Sequence, residues 1–301
     1  MILEKNFIKK FGDNFSKNVS LSNYSWFNLG GSADYFFKAK DKNQLLEFLK
    51  EAKKKKLKII ILGAGSNTLF RDNGVKGAVI KLGKNFSYTK LIEKNILDVG
   101  AATLDRKVAN FAKDNNLTNL EFLSCIPGSI GGAITMNSGC YDQDISKVLS
   151  SIQVIDKNRL SEIEIKKEDI KFFYRGTNLN SDLIITSAKF ICSIDKKEVI
   201  EKKQSNFIQR KKLSQPSQVK TCGSTFKNID KLKKAWMLIK EAGCNNFQEG
   251  DAIISPKHCN FFVNKGNAKS SDIEKLINRV KKKVYEKTGV NLELEIKIIG
   301  E

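Results

Sequence analysis

Residues Ile126-Pro127-Gly128-Ser129-Ile130-Gly131-Gly132-Ala133-Ile134-Thr135-Met136-Asn137-Ser138-Gly139 decide how this chain is read. Four glycines and one of the chain's three prolines fall inside this stretch, which is flanked by Cys125 and Cys140. Glycine has no Cβ, so backbone N–H groups can turn toward one point. Such a concavity holds an anion, a pyrophosphate included, without any lysine. Ile130, Ala133, Ile134 and Met136 between the glycines are apolar, so the segment can lie on a core while its backbone faces a ligand. A tight structural turn is the competing reading, and the stretch by itself leaves both open.

A second loop upstream has the same character. The β-prone run Leu57-Lys58-Ile59-Ile60-Ile61-Leu62 feeds into Gly63-Ala64-Gly65-Ser66-Asn67-Thr68. This resembles the start of the dinucleotide fingerprint Gly-x-Gly-x-x-Gly but departs from it, because Thr68 replaces the third glycine. Turn residues Phe70-Arg71-Asp72-Asn73-Gly74 follow in place of a helix, and no acidic residue stands where the ribose contact belongs. The pattern argues against a Rossmann domain. Two strand-ended glycine loops together suggest a diphosphate cofactor held between them.

At 301 residues and 41% hydrophobic, the chain can form one large domain or two to three smaller ones. Its net charge of +20 comes from 53 Lys+Arg against 33 Asp+Glu. A nucleic-acid partner would fit that charge. However, the lysines run from end to end and arginine, the commoner base reader, is scarce. Composition bias is the preferred reading, and no nucleic-acid partner is expected. The six cysteines show no Cys-x-x-Cys pair, and His258 is the single histidine, so no metal site is expected. Reduced, mostly buried thiols suit a cytoplasmic protein. The N-terminus lacks the apolar run of a signal peptide and no stretch approaches a membrane span, so no membrane partner is expected.

In chain order, residues 1–20 predict a short helix with Ile8 and Phe11 on one face, then a loop. Residues 24–34 read as an aromatic strand ending in a Gly-Gly turn. Asp41 is placed to cap a helix over 42–54. Strands are predicted at 77–82 and 96–101, with a helix at 104–113. Segments 148–155 and 183–194 alternate like half-buried antiparallel strands. Beyond a helix at 198–213, the pattern is helix 230–242, strand 260–263, helix 271–288 and strand 293–299.

Six phrases then occur in one order: residues 61–67, residues 126–133, Tyr174-Arg175, Gly223-Ser224-Thr225-Phe226-Lys227-Asn228, Lys257-His258-Cys259-Asn260-Phe261 and Leu292-Glu293-Leu294-Glu295-Ile296. With them the chain resembles the UDP-N-acetylenolpyruvoylglucosamine reductase family, flavoenzymes of bacterial peptidoglycan precursor synthesis, in its shorter subtype. The resemblance implies an α+β fold: an FAD-binding module of the vanillyl-alcohol-oxidase type with two α+β subdomains (residues 1–195), then a C-terminal α/β substrate domain (residues 196–301). It implies FAD as cofactor and NADPH as cosubstrate, reducing an enolpyruvyl ether of a UDP-sugar to UDP-N-acetylmuramate. By match to the motifs, Ser224 protonates the substrate carbon, while Arg175 and Glu295 stabilise the enol-like intermediate. Gly63, Ala64, Gly65, Ser66, Asn67, Pro127, Gly128, Ser129, Gly131 and Gly132 hold the FAD diphosphate and ribityl region. Tyr174, Lys227, Asn228 and Lys257 contact the substrate. The partners implied are small molecules only, with the chain a monomer or weak oligomer.

Those roles are chemically coherent. A serine hydroxyl protonates only a strongly basic centre, which a carbanion-like carbon is. A guanidinium supplies fixed positive charge where an enolate develops. The alternation of Leu292, Leu294 and Ile296 against Glu293 and Glu295 puts the carboxylates on a polar face. Taken singly, Glu295 also reads as a solvated residue, Arg175 as a structural ion pair and Ser224 as turn chemistry. Cys222 near Ser224, where the family usually has a small residue, is expected to be oxidation-sensitive, and Ile229 after Asn228 to loosen the turn. The competing functions are another FAD-linked oxidoreductase of this fold and a lysine-rich nucleic-acid-binding protein.

Overall fold

The structure, a computed structural model, describes residues 2–230 and 232–301, with side chains from Phe7 onward. The fold is α+β. Its helices are Ile2–Phe11 (α1), Lys42–Lys54 (α2), Asp105–Asp114 (α3), Ile130–Thr135 (α4), Lys197–Ser214 (α5), Ala235–Glu241 (α6) and Ser270–Thr288 (α7). Among the described residues, no helix is long and apolar enough to cross a membrane.

The chain forms two compact units, neither of them continuous. The first is Met1–Lys17, Tyr35–Ala64 and Gly77–Lys211; the second is Asn18–Asp34, Gly65–Lys76 and Lys212–Glu301. Sequence reading draws a single boundary after residue 195. The second unit draws in Gly65–Lys76 because strand Thr68–Phe70 pairs in parallel with Lys297–Ile299.

The first unit is built on a five-stranded sheet in the order Ser161–Lys166, Leu149–Asp156, Leu183–Ile191, Ile96–Gly100 and Thr89–Glu93. Leu183–Ile191 occupies the centre and is buried along nearly its whole length, so its expected half-buried alternation does not hold. A central strand covered on both faces gains nothing from polar alternation. Against this sheet pack Val108, Ala109 and Ala112 of α3 and Ile130, Ala133 and Ile134 of α4. A second core gathers Phe7, Phe11, Phe15, Phe37 and Phe48, with Phe37 and Phe48 stacked at 4.1 Å. Each ring so buried contributes about 2–3 kcal/mol. The inward face of α1 is therefore Phe7 and Phe11, while Ile8 is 51% exposed, against expectation. Asp41 caps α2 as expected, its Oδ1 accepting from the Gln44 N–H at 2.9 Å.

In the second unit, Ile273, Leu276, Ile277, Val280 and Val284 of α7 pack on Phe226, Phe262, Leu292 and Ile296. The helix ends at Gly289, whose φ of +70° is the left-handed cap only glycine adopts without strain. At its other end, both Asp72 carboxylate oxygens accept backbone N–H groups, from Ser270 at 2.8 Å and Ser271 at 2.9 Å. A small sheet of Gln248–Glu249, Ala252–Ile254 and Phe262–Asn264 covers one side of this core, and its first two strands were not expected. The helix expected at 230–242 begins only at Ala235, whose N–H is taken by Asn228 Oδ1 at 3.1 Å. Residues 24–34 form no strand before Ser32, because Asn28 (φ +52°) and Gly30 (φ +125°) cannot extend.

Candidate functional site

Strand Ile59–Ile61 runs parallel to Val75–Leu82 and delivers the chain to Gly63. The Gly63 carbonyl accepts a 2.6 Å bond from Lys81 Nζ. Gly63 is exposed, and an ideal Cβ on it would stand 2.8 Å from Ser129 Oγ. Gly63, which opens the upstream glycine loop, and Ser129 are thus neighbours within the first unit. Ser129 is extended (φ −127°, ψ 152°) and spends no side-chain bond on capping α4. On its other side, exposed Gly132 would place a Cβ 4.0 Å from the same oxygen.

Residues 126–139 are not one loop, since the segment becomes helix α4 at Ile130. The N–H of Ile130 donates to the Thr103 carbonyl at 3.0 Å and that of Gly131 to the Ala101 carbonyl at 2.9 Å. Those two donors tie the loop to the sheet instead of facing a ligand. A Cβ at 131 would lie 3.2 Å from the Ala101 Cβ, so the helix start packs tightly on the strand end at this point. Pro127 and Gly128 are half-buried, and the Gly128 carbonyl accepts the Asp105 N–H at 3.2 Å.

Tyr174 and Arg175 form the tip of a hairpin between Phe172–Phe173 and Gly176–Thr177. Arg175 has φ +58°, a conformation a non-glycine residue adopts only where its surroundings hold it. Its Nη2 donates to the Gly139 carbonyl at 2.9 Å, and its guanidinium lies 4.9 Å from the Tyr174 ring centroid. Tyr174 is 50% exposed.

In the second unit, the other motif segments form one array. Half-buried Ser224 follows Gly223, which has φ +81° and open space where a Cβ would stand. Ser224 bridges to Phe261, and the Thr225 N–H reaches the Asn260 carbonyl at 2.7 Å. On the other side, the Glu295 N–H donates to the Thr225 carbonyl at 2.9 Å and the Lys227 N–H to the Glu293 carbonyl at 2.9 Å. Ser224 and Glu295 therefore belong to adjoining backbone segments. Leu292 and Ile296 are buried and Glu293 exposed, but Leu294 and Glu295 are both half-buried, so the expected alternation does not hold at Glu295, and the regular strand is only Lys297–Ile299.

The remaining residues divide by what they hold. Lys227 Nζ pairs with Glu293 at 3.3 Å, and Lys257 Nζ binds the Lys212 carbonyl at 2.7 Å. Gly65 has φ +72° and packs on Tyr24, where a Cβ would meet the carbonyl oxygen at 1.8 Å. Ala64 and Ser66 are half-buried. Asn67 Nδ2 donates to the Glu295 carbonyl at 3.0 Å, so its amide braces the acid's backbone. Sequence reading missed Asn260, whose amide clasps both the N–H (2.9 Å) and the carbonyl (2.8 Å) of Phe226. The signal was available in its place beside His258 in the motif. His258 itself packs on Phe261 at 4.8 Å and accepts the Asn260 N–H at 3.2 Å, and burial lowers its pKa.

Cys222 contradicts its expected reactivity. Its thiol is buried and donates to the Thr68 carbonyl at 3.3 Å, and burial pushes it up to about 11. A thiol kept protonated and covered is a poor nucleophile.

Residues 33–158 match the FAD binding domain family, and residues 215–299 match the family described as UDP-N-acetylenolpyruvoylglucosamine reductase, C-terminal domain. The UDP-N-acetylenolpyruvoylglucosamine reductase of Pelagibacter ubique is 45% identical over 298 residues, covering 97% of this chain and 98% of that protein. The protein of the same name from Orientia tsutsugamushi (strain Ikeda) is 43% identical, covering 97% of each. Among solved structures, UDP-N-acetylenolpyruvylglucosamine reductase from Thermus caldophilus superposes with a TM-score of 0.82 at 30% identity, covering 94% of this chain and 98% of that one.

Proposed function

The chain belongs to the UDP-N-acetylenolpyruvoylglucosamine reductase family, and on that premise we propose that it reduces UDP-N-acetylglucosamine enolpyruvate to UDP-N-acetylmuramate, with FAD bound and NADPH as reductant. The apposition of Gly63 and Ser129 carries the cofactor half of this reading. Gly63 and Gly132, both near the Ser129 hydroxyl, expose backbone with no side chain to cover it, which suits an anion such as the diphosphate of FAD. When bound, FAD supplies the two-electron hydride chemistry that no side chain of this protein provides.

The protein's own residues do the rest. Gly63 and Ala64, with Pro127, Gly128, Ser129 and Gly132, cradle the diphosphate and ribityl chain. Gly131 serves by holding α4 against Ala101, and Gly65, Ser66 and Asn67 shape the far side of the first loop. Ser224 gives its hydroxyl proton to the substrate carbon beside the carboxylate. Arg175 sets positive charge against the enolate as it develops, and its bond to Gly139 fixes the guanidinium beforehand. Glu295, held through its backbone by Thr225 and Asn67, joins Arg175 in stabilising the enol-like intermediate. Tyr174, Lys227, Asn228 and Lys257 receive the nucleotide sugar. The enzyme works in the cytoplasm on small molecules, as a monomer or weak oligomer.

The test is direct. Purified protein should be yellow, release one FAD per chain on denaturation, and oxidise NADPH only when the enolpyruvyl ether is supplied. A colourless protein that cannot be loaded with FAD would overturn the reading.

A further inference from the structure

Asn67 falls in the motif read as a cofactor loop, yet its side chain is engaged by another segment. Its Nδ2 donates to the Glu295 carbonyl at 3.0 Å, and its own carbonyl accepts the Lys297 N–H at 2.9 Å. Beyond it, Thr68–Phe70 pairs in parallel with Lys297–Ile299, so the grip continues along the strand. Glu295 itself precedes that strand and gains nothing from its ladder. Its N–H donates instead to the Thr225 carbonyl at 2.9 Å. Both backbone polar groups of Glu295 are therefore bonded, one to the residue after Ser224 and the other to the Asn67 amide. The stretch that carries Asn67 is braced in turn. Gly65, at φ +72°, packs so tightly on Tyr24 that a Cβ would meet the carbonyl oxygen at 1.8 Å, and its own carbonyl accepts the Trp26 N–H at 3.1 Å. The Thr68 carbonyl accepts the Ser25 hydroxyl at 2.6 Å and the buried Cys222 thiol at 3.3 Å. Cys222 lies two residues before Ser224. The segments bearing the serine and the acid are thus both fastened to residues 65–68, all within the second unit.

We propose that Asn67 is the positioning residue of Glu295, its amide fixing the backbone from which the carboxylate meets the enol-like intermediate. The bond reaches a main-chain carbonyl, so Asn67 works through Glu295 and touches no reacting atom. Leucine at this position keeps the volume but leaves the Glu295 carbonyl without its donor, and the segment loosens. A catalytic group displaced by about an ångström loses about 100-fold in rate. Asn67 is in this respect unlike Gly63, whose alteration acts on FAD binding. The loss of rate rests on the function proposed above, whereas the loosening does not.

The experiment compares the wild-type flavoprotein with Asn67→Leu, Glu295→Gln and the double variant. Backbone amide exchange across residues 293–299 should quicken about tenfold in Asn67→Leu, the effect of one lost hydrogen bond. In anaerobic single turnovers, Asn67→Leu should slow recolouring of the reduced flavin by the enolpyruvyl ether about 100-fold, far more than it slows bleaching by NADPH. In the Glu295→Gln background the same substitution should slow recolouring further by about twofold at most, because the group it positions is gone. Should Asn67→Leu fail to fold, Asn67→Asp replaces it, setting an oxygen of the same size against the Glu295 carbonyl. Unchanged exchange at 293–299 would overturn the clasp. Equal slowing in both backgrounds, or weaker FAD binding with both half-reactions slowed alike, would overturn the positioning role and return Asn67 to the cofactor. A wild type that binds FAD but is not recoloured by this substrate would count against the proposed function, and amide exchange alone would then decide the clasp.

Discussion

Gly63 and Ser129 stand so close that one methyl group on the glycine would come within 2.8 Å of the serine hydroxyl oxygen. They lie 66 positions apart in the chain, and the parallel pairing of Ile59–Ile61 with Val75–Leu82 sets the position of the first loop. The obstacle to a Cβ is a side-chain oxygen that can rotate, so the fold should tolerate Gly63→Ala. Its melting temperature should stay within a few degrees, while the FAD dissociation constant rises about tenfold, some 1.4 kcal/mol. Flavin titration of the apoprotein measures this.

Gly65→Ala should behave differently. There the Cβ would meet the Tyr24 carbonyl at 1.8 Å from a backbone at φ +72°, and neither can yield. A loss of about 3 kcal/mol or failure to fold is expected. Denaturant unfolding of the two alanine variants side by side separates a cofactor glycine from a structural one.

Asp105 lies at the first turn of α3, fully buried, with neither carboxylate oxygen hydrogen-bonded among the described residues. Desolvation raises its pKa well above the ordinary carboxylate value. The folded state therefore keeps a proton that the unfolded state loses near pH 4. Stability contributed by this group is complete below that pH and declines as pH rises toward the folded pKa. Asp105→Asn should raise stability at neutral pH and flatten that decline, as read from urea midpoints across the pH range.

Asp72 has the opposite sign. Burial pushes its pKa up, but the N–H groups of Ser271 and Ser270 outweigh it and hold the carboxyl below the ordinary value. Its capping of α7 is present above the unfolded pKa and lost as pH falls through the folded one. Asp72→Ala should cost about 1 kcal/mol at neutral pH and nothing in strong acid.

Much of this was legible in the sequence because it is local. The Asp41 cap, the helix over 271–288 and the burial of Leu292 and Ile296 against exposed Glu293 follow from residues within a few positions of one another. Ile8, Gly131 and residues 24–34 were misread for the reverse reason. Which face of α1 is buried depends on Phe37 and Phe48, and where the Gly131 N–H points depends on Ala101. Asn28 and Gly30 take left-handed backbone angles that a count of aromatic residues does not reveal. Asn260 went unnoticed because its amide acts on Phe226, 34 positions away.

The account stands most directly on a half-reaction. Wild-type enzyme and Ser224→Ala are each bleached anaerobically with NADPH and then mixed with UDP-N-acetylglucosamine enolpyruvate. Both should bleach alike, and wild type should regain its yellow colour at once as UDP-N-acetylmuramate forms. The variant should recolour more slowly by a factor of about 100 to 10,000, the usual contribution of a positioned acid. Equal recolouring in the two proteins would contradict the role given to Ser224, and no recolouring of wild type by this substrate would contradict the reductase itself.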